Sequence, residues 1–219
     1  MAGHFSLKSF MNNLKKYSTN IIPTWCPGCG NFLVKAILEK TLEELKLPKK
    51  DIVITYDIGC AGNMADFLDT YGVHTLHGRA VPVAMGVKIA NPKLTVIAIG
   101  GDGGIYGEGL NHLTTAARAN SNITTIVSNN YLYSLTTGQT SPTTPKGAKT
   151  KSTPEGSALV PLNPVSFTKN VNPKSWAEKS TTKNPKDLQE KIKQAITHKG
   201  FSLLDIDQEC IAFGKLLKK

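Results

Sequence analysis

The residues with the clearest chemical potential are an acid set among glycines and a pair of asparagines downstream of it. Gly100-Gly-Asp-Gly-Gly104 follows directly on the apolar run Leu94–Ile99. Glycines between a strand and a helix commonly cradle phosphate, because backbone N–H donors and the helix start face the anion. A dinucleotide-binding loop fits poorly, since Tyr106 stands where the third glycine belongs, and there is no P-loop lysine. Asp102 decides the reading. A carboxylate aimed at a diphosphate repels it unless a divalent cation lies between them, and magnesium prefers such oxygen ligands. A second oxygen ligand should come from the next strand end, where Asn129-Asn130 closes the apolar run Ile123–Val127. Singly, the glycines could be a tight turn and the asparagines a cap. Together, 28 residues apart, Asp102 and Asn130 would place two oxygen donors at neighbouring strand ends, as a cation-bridged diphosphate site needs.

The four cysteines are the second constellation. Cys26-Pro-Gly-Cys29 immediately precedes an amphipathic segment, Cys60 follows the first apolar run, and Cys210 follows the last. A thioredoxin-like pair should follow a strand, and none is evident before Cys26. Disulfides are improbable in a cytoplasmic chain. If the runs are parallel strands, all three locations converge on one sheet edge. Four thiolates there would suit zinc or a four-iron four-sulfur cluster, and buried inert thiols are the plain alternative.

The elements that must position these groups alternate. Helical spacing predicts a helix over Asn31–Leu47, with Val34, Leu38, Leu42 and Leu45 on one face. Asp51–Tyr56 reads as a buried strand, followed by a short helix near Ala61–Thr70 and a segment at Val73–Leu76. A helix over Arg79–Asn91, a strand over Leu94–Ile99, a helix over Tyr106–Ala119 and a strand over Ile123–Val127 come next. Residues 131–176 read as one long Thr-, Pro-, Gly- and Ser-rich loop, of a length that is usually functional or disordered. A charged helix, Pro185–Lys199, and a strand, Phe201–Ile206, close the pattern. The expected fold is α/β, a single doubly wound parallel sheet domain over 1–219, with ligands outside the carboxyl ends of the strands.

Composition excludes several classes. The formal charge is +10, from 26 Lys+Arg against 16 Asp+Glu, and residues 146–219 carry much of it. Only two arginines exist, Arg79 and Arg118, and the lysines are scattered, so nothing reads as a nucleic-acid site. An acidic protein partner remains compatible with the charge. No apolar run is long enough to cross a membrane, and the start at Met1-Ala-Gly-His-Phe-Ser-Leu-Lys lacks a secretory signal, so the expectation is a cytoplasmic protein.

These stretches together resemble the beta subunit of 2-oxoacid:ferredoxin oxidoreductases. The resemblance is carried by Trp25-Cys-Pro-Gly-Cys-Gly-Asn31, Ile58-Gly-Cys60, Tyr71-Gly-Val-His-Thr-Leu-His-Gly-Arg-Ala-Val-Pro-Val-Ala-Met-Gly86, Ala90-Asn-Pro92 and Gly100-Gly-Asp-Gly103. It continues through Asn129-Asn-Tyr-Leu-Tyr133, Thr137-Gly-Gln-Thr-Ser-Pro-Thr143 and the tail from His198 to Cys210. It implies thiamine diphosphate held through Mg2+ by the carboxylate of Asp102, the side chain of Asn130 and the backbone oxygen of Leu132. Gly59, Cys60, His77, Gly101 and Gly103 would complete the cofactor site. Cys26, Cys29, Cys60 and Cys210 would hold one 4Fe–4S cluster, which the resemblance favours over zinc.

The implied reaction is oxidative decarboxylation of a 2-oxoacid to acyl-CoA and carbon dioxide, with electrons leaving to ferredoxin. His77 and Arg79 are candidate catalytic donors to diphosphate or substrate, while His74 reads as structural. Thr137, Gln139 and Ser141 lie in the long loop, which is placed to close over the site. No acid in the chain stands out for activating the cofactor ring, since Glu108 sits inside a predicted helix. The resemblance assigns that acid to a partner alpha subunit, with gamma and delta subunits in larger assemblies. Three features depart from the family: Gly104 where an acid is often found, Asn63 where some 2-oxoglutarate enzymes carry lysine, and Glu209 beside Cys210. The rival readings are a non-redox thiamine diphosphate-dependent 2-oxoacid decarboxylase subunit, which needs no cysteines, and a zinc-binding interaction module, which needs no Asp102 with Asn130.

Overall fold

The computed structural model describes residues 16–217. The expectation made on Met1–Lys8 therefore lies outside the described residues, as does the first half of the irregular lead. Six strands form one parallel sheet: β1 (Ile52–Tyr56), β2 (Tyr71–His74), β3 (Thr95–Gly101), β4 (Thr124–Asn129), β7 (Trp176–Thr181) and β8 (Ser202–Asp207). Their order across the sheet is β2-β1-β3-β4-β8-β7. A two-stranded antiparallel pair, β5 (Leu132–Tyr133) with β6 (Gln139–Thr140), stands apart from it. The helices are α1 (Gly30–Glu44), α2 (Ala80–Ala90), α3 (Leu110–Arg118), α4 (Pro164–Val171) and α5 (Pro185–Thr197).

Parallel strands buried on both faces read as continuous apolar runs rather than alternating ones. The inner strands β1, β3 and β4 are buried along nearly their whole length, and their period of two divides the side chains between two cores. On β3, Ile97 and Ile99 face a core built with Val34, Leu38 and Leu42 of α1 and Leu188 and Ile192 of α5. Val96 and Ala98 face the other, with Ala80 and Ala84 of α2 and Ala116 and Ala117 of α3. The alanines on this second face let α2 and α3 approach the sheet closely. The expected doubly wound arrangement is present.

The sheet runs outward in both directions from β1 and β3, since β2 lies beyond β1 and β4 beyond β3. Adjacent parallel strands whose connections diverge leave a crevice at their carboxyl ends, and ligands bind there. Here that crevice is bounded by Asp57–Cys60 after β1 and by Gly101–Gly104 after β3.

Two corrections follow. The predicted helix over Tyr106–Ala119 is a π-helical turn, Gly103–Glu108, running into α3 at Leu110. The predicted loop over 131–176 contains β5, β6 and α4, and ends at the first residue of β7. Helix α4 is only 8 residues long, capped by Asn163 with Pro164 at its first turn, so about two turns gave too little periodicity to read. Strand β7 carries Glu178 and Lys179 at an edge beside β8, which breaks the apolar run expected of a buried strand. Among the described residues no helix is long and apolar enough to cross a membrane.

Ile126 lies fully buried at the centre of β4, in the core shared with α5. Replacing it with alanine removes packed methyl groups and leaves a cavity, at about 2–5 kcal/mol. Urea unfolding of Ile126→Ala should show a loss in that range with an unchanged denaturant slope.

Candidate cofactor site

The crevice holds a cleft whose lining includes Gly59, Cys60, His77, Gly101, Asp102 and Gly103. Asn130 and Leu132 line it as well, so all the residues read as cofactor-binding come together. Arg79 does not line it: its guanidinium donates to the carbonyl oxygens of Gly78 and Glu108, 3.2 and 3.0 Å away. Backbone carbonyls left over between the start of α2 and the π-turn take up its donors. The cleft measures about 110 Å3. Small-molecule sites usually span about 300–1,000 Å3, so these walls enclose only part of a cofactor.

Asp102 is 1% exposed, and its neighbours hold it rigidly. Ser141 and Thr143 donate their hydroxyls to Oδ2, the latter at 2.9 Å, and the backbone N–H of Asn130 points at Oδ1 from 3.4 Å. Burial pushes its carboxyl up to about 6, and these three donors pull it back only in part. Asn130 Oδ1 accepts from the Leu132 N–H at 3.1 Å and the Ser134 hydroxyl at 2.9 Å, which folds the loop back on itself. Tyr131 within that turn takes φ 65°, a left-handed value that marks a tightly constrained loop.

Two glycines are required by contact. A Cβ on Gly103 would stand 2.5 Å from the Tyr133 ring, and one on Gly104 would stand 1.6 Å from Asp57 Oδ2. The second contact explains the glycine at 104. Asp57, fully buried, fills the space that a side chain there would need. Its Oδ1 accepts the Gly78 N–H at 2.6 Å, whereas Oδ2 has no hydrogen-bond partner. Burial raises its carboxyl, opposed by the N–H groups of Gly78 and Ile58 and by His77. His77 lies half-buried on the cleft, its Nδ1 3.8 Å from Glu108 Oε2. Glu108 also accepts from the Tyr133 hydroxyl at 3.1 Å, at the exposed mouth. The Ser128 hydroxyl, buried in the lining, has no partner and is a free donor for a bound group.

The cysteines come together beside this cleft. Cys26, Cys29, Cys60 and Cys210 all line one cavity of about 240 Å3. Trp25 anchors the Cys26–Cys29 turn by donating its indole N–H to the Cys60 carbonyl at 2.6 Å and packing edge-on against Phe67. Burial raises the Cys60 thiol to about 11, and the thiols of Cys29, Cys210 and Cys26 add to that. Cys29 is raised for the same reasons. The Phe213 N–H points at Cys210 Sγ from 3.4 Å. Among the described residues, no three His, Cys, Asp or Glu side chains form a group that could hold a metal ion. Cys60, Asn130, Ser134, Leu135 and Gln208 line both cavities, so a single layer of residues separates them.

Residues 57–206 match the model of the thiamine pyrophosphate enzyme C-terminal TPP binding domain. The chain is 37% identical over 193 residues to the 2-oxoglutarate synthase subunit KorB of Archaeoglobus fulgidus, covering 88% of this chain and 72% of that one. It belongs to the beta-subunit family of the 2-oxoacid:ferredoxin oxidoreductases. The 2-oxoacid:ferredoxin oxidoreductase subunit beta of Saccharolobus solfataricus is 42% identical over 197 residues, 89% of this chain and 64% of the relative. The subunit beta of 2-oxoacid:ferredoxin oxidoreductase 1 of Aeropyrum pernix is 36% identical over 91% of this chain and 63% of its own length. The chain thus spans somewhat under two thirds of these two relatives. A solved 2-oxoglutarate:ferredoxin oxidoreductase from Magnetococcus marinus, with 2-oxoglutarate, coenzyme A and succinyl-CoA bound, superposes with a TM-score of 0.89. It is 36% identical, over 92% of this chain and 69% of that one.

Within this beta-subunit fold, several site residues escaped sequence reasoning. Thr143 and Ser141 clamp Asp102, but only Ser141 stood out, and as a loop residue rather than a clamp. Asp57, Ser128, Asn31 and Gln208 carry no spacing signal. Asp57 alone was findable, since an acid at the end of a buried strand must be satisfied or functional.

Asp102 also sets a pH dependence. Its carboxyl is raised from 3.8 to about 6 in the folded chain, so folding favours the protonated form. The stability that Asp102 contributes is therefore fully present below about pH 4 and lost as pH rises through 6, about 3 kcal/mol for a gap of roughly two pH units. Denaturation in chelator across about pH 4 to 7 should show a shallower slope for Asp102→Asn than for wild type, the difference being the part Asp102 contributes.

Proposed function

We propose that this chain is the thiamine diphosphate-carrying subunit of an enzyme that oxidatively decarboxylates a 2-oxoacid to acyl-CoA, passing electrons to ferredoxin. The observation that carries the reading is the shared wall. Asp102 and Asn130 meet at the crevice after β3 and β4, and four thiols line the cavity on the other side of Cys60 and Gln208. A non-redox decarboxylase would have no use for the second cavity, and a zinc module none for the first.

Asp102, the Asn130 side chain and the Leu132 carbonyl would hold magnesium, and the four cysteines would hold a 4Fe–4S cluster. The donor chemistry fits both groups: hard oxygens for magnesium, thiolates for iron. Holding magnesium would ionise Asp102 fully and recruit an oxygen that now accepts from Ser134. When bound, thiamine diphosphate supplies the electron sink for decarboxylation, and the cluster supplies a one-electron exit. The chain's own residues bind and orient. Gly103 brings backbone close to the diphosphate position, while Ser128 offers a buried hydroxyl and His77 a ring nitrogen at the mouth. Tyr133 and the β5–β6 pair cover the cleft from the loop side.

The small enclosed volume supports a partner subunit. Glu108, at the exposed mouth, is tied to Tyr133 and His77, and the acid that activates the cofactor would come from an alpha subunit, as the family resemblance implies. Coenzyme A and the 2-oxoacid would enter where the two subunits meet.

The test is co-expression with an alpha subunit under anaerobic conditions. The complex should oxidise at least one of pyruvate, a branched 2-oxoacid and 2-oxoglutarate with coenzyme A and ferredoxin, and the single chain should oxidise none. Asp102→Ala should abolish magnesium-dependent thiamine diphosphate binding in titration calorimetry while iron content stays unchanged. Affinity equal to wild type would remove Asp102 from the site.

Cys210 lies 150 residues beyond Cys60, and only the fold brings it to the same cavity. Cys210→Ala should therefore lose one iron or the whole cluster and at least tenfold in ferredoxin-linked oxidation, with thiamine diphosphate still bound. Iron and sulfide analysis with low-temperature electron paramagnetic resonance reports this. Four irons with an unaltered spectrum would make Cys210 a buried thiol only.

A further inference from the structure

Two carboxamides lie in the wall of the cysteine cavity, and neither belongs to the proposed ligand set. Asn31 opens α1, two residues after Cys29, and Gln208 follows β8, two residues before Cys210. They are 0% and 5% exposed. Gln208 Nε2 donates to Asn31 Oδ1 at 3.2 Å. Two of their polar atoms have no partner, Asn31 Nδ2 and Gln208 Oε1. Leaving a buried amide donor unmade costs about 1–3 kcal/mol, so such a group is expected to serve something.

The pairing makes the free donor unavoidable. Each carboxamide has one acceptor oxygen and one donor nitrogen, and the two side chains meet through a single hydrogen bond. If both amides are turned over, Asn31 donates to Gln208 and the free donor becomes Gln208 Nε2. Either way one NH2 group remains in the wall between Cys29 and Cys210. In the orientation of the structure, Gln208 Oε1 lies over Gly30, where an added Cβ would stand 2.5 Å from it. That oxygen packs against Gly30 without a hydrogen bond, and Asn31 Nδ2 is the unpaired donor in the cavity wall.

We propose that the Asn31–Gln208 amide pair sets the reduction potential of the iron–sulfur cluster by donating an N–H to one of its sulfurs. The inference rests on the cluster assigned above. Reduction adds negative charge to the sulfurs, so a donor aimed at them stabilises the reduced state more than the oxidised one and raises the potential. Gln208 also lines the cofactor cleft, and its backbone N–H is bound to the Asn129 carbonyl at 3.0 Å, which fixes the pair against the site where electrons originate. Asn31 and Gln208 act as positioning and tuning residues, not as ligands.

The experiment is a redox titration of the anaerobic complex, followed by electron paramagnetic resonance, for wild type, Asn31→Leu and Asn31→Asp. Leucine removes the donor at similar volume, and aspartate replaces it with an acceptor. Both should lower the midpoint. At the wild-type midpoint the oxidised-to-reduced ratio should move from one to at least ten, which for one electron is 59 mV. An unchanged midpoint in either variant overturns the proposal, as does loss of the cluster from both, which would make Asn31 a packing residue. Wild-type protein without iron and sulfide would instead overturn the cluster assignment, so the two failures are separable.

Discussion

A single buried carboxylate organises this site. Asp102 sits where three strands deliver their ends, and a charge there is tolerable only because the chain supplies donors to it. The donors come from the segment 141–143, far along the sequence, so the long loop is bound to the sheet by the need to satisfy one acid. Thr143 extends the constraint. Its hydroxyl lies 2.9 Å from both Asp102 Oδ2 and Asn129 Oδ1, and a hydroxyl has one proton to give. One contact is therefore always short of a proton unless Asp102 itself is protonated. Asn129 passes the network on, donating to Asp205, which also accepts from Tyr106 at 2.8 Å. Loop, π-turn and β8 are thus tied to a group whose charge is unfavourable until a cation meets it.

That frustration is consistent with a binding role. A carboxylate held for structure alone would be better replaced by an amide of the same shape, which needs no neutralising partner. Its place at a strand end, with its Asn130 neighbour wrapped into a tight turn, sets two side-chain oxygens side by side at a cost in stability. Active sites commonly carry such locally unfavourable groups, with stability supplied elsewhere. Here the stability comes from the two continuous cores on either face of the sheet.

The sheet was legible because parallel strands announce themselves. Leu94–Ile99 is apolar but for Thr95, Phe201–Ile206 is mostly apolar, and the alternation with helices leaves few topologies. The crevice followed from the topology, and the Asp102 and Asn130 pair from their spacing. Other parts were hidden for physical reasons. Helix α4 is too short to show a period, and β7 lies at an edge where charge is expected. Arg79 was read as a donor to ligand because it shares the His77-Gly78-Arg79 stretch with His77, which does line the cleft. The start of α2 turns its side chain instead toward carbonyl oxygens of Gly78 and Glu108. Contacts such as Asp57 with Gly104, or Asn31 with Gln208, join residues 47 and 177 positions apart and leave no trace in local spacing.

The two cavities share walls because they share strand ends. The turn after β1 contributes Cys60, and the residues just past β4 and β8 contribute Asn130 and Gln208, each lining both spaces. In a parallel sheet all such ends point the same way, so any two ligand sites built on neighbouring strands are forced within one side chain of each other. For an electron-transfer enzyme that proximity is an advantage, and it arises from topology rather than from any special connecting residue. The same topology makes the wall residues sensitive positions. A side chain there touches two sites at once, and its polarity is felt by both. Leu135 and Ser134 supply the remaining wall from the loop side, held by the Asn130 turn. Whatever occupies the Asp102 cleft therefore presses on a segment that also bounds the thiols, and occupancy of one cavity is structurally linked to the shape of the other.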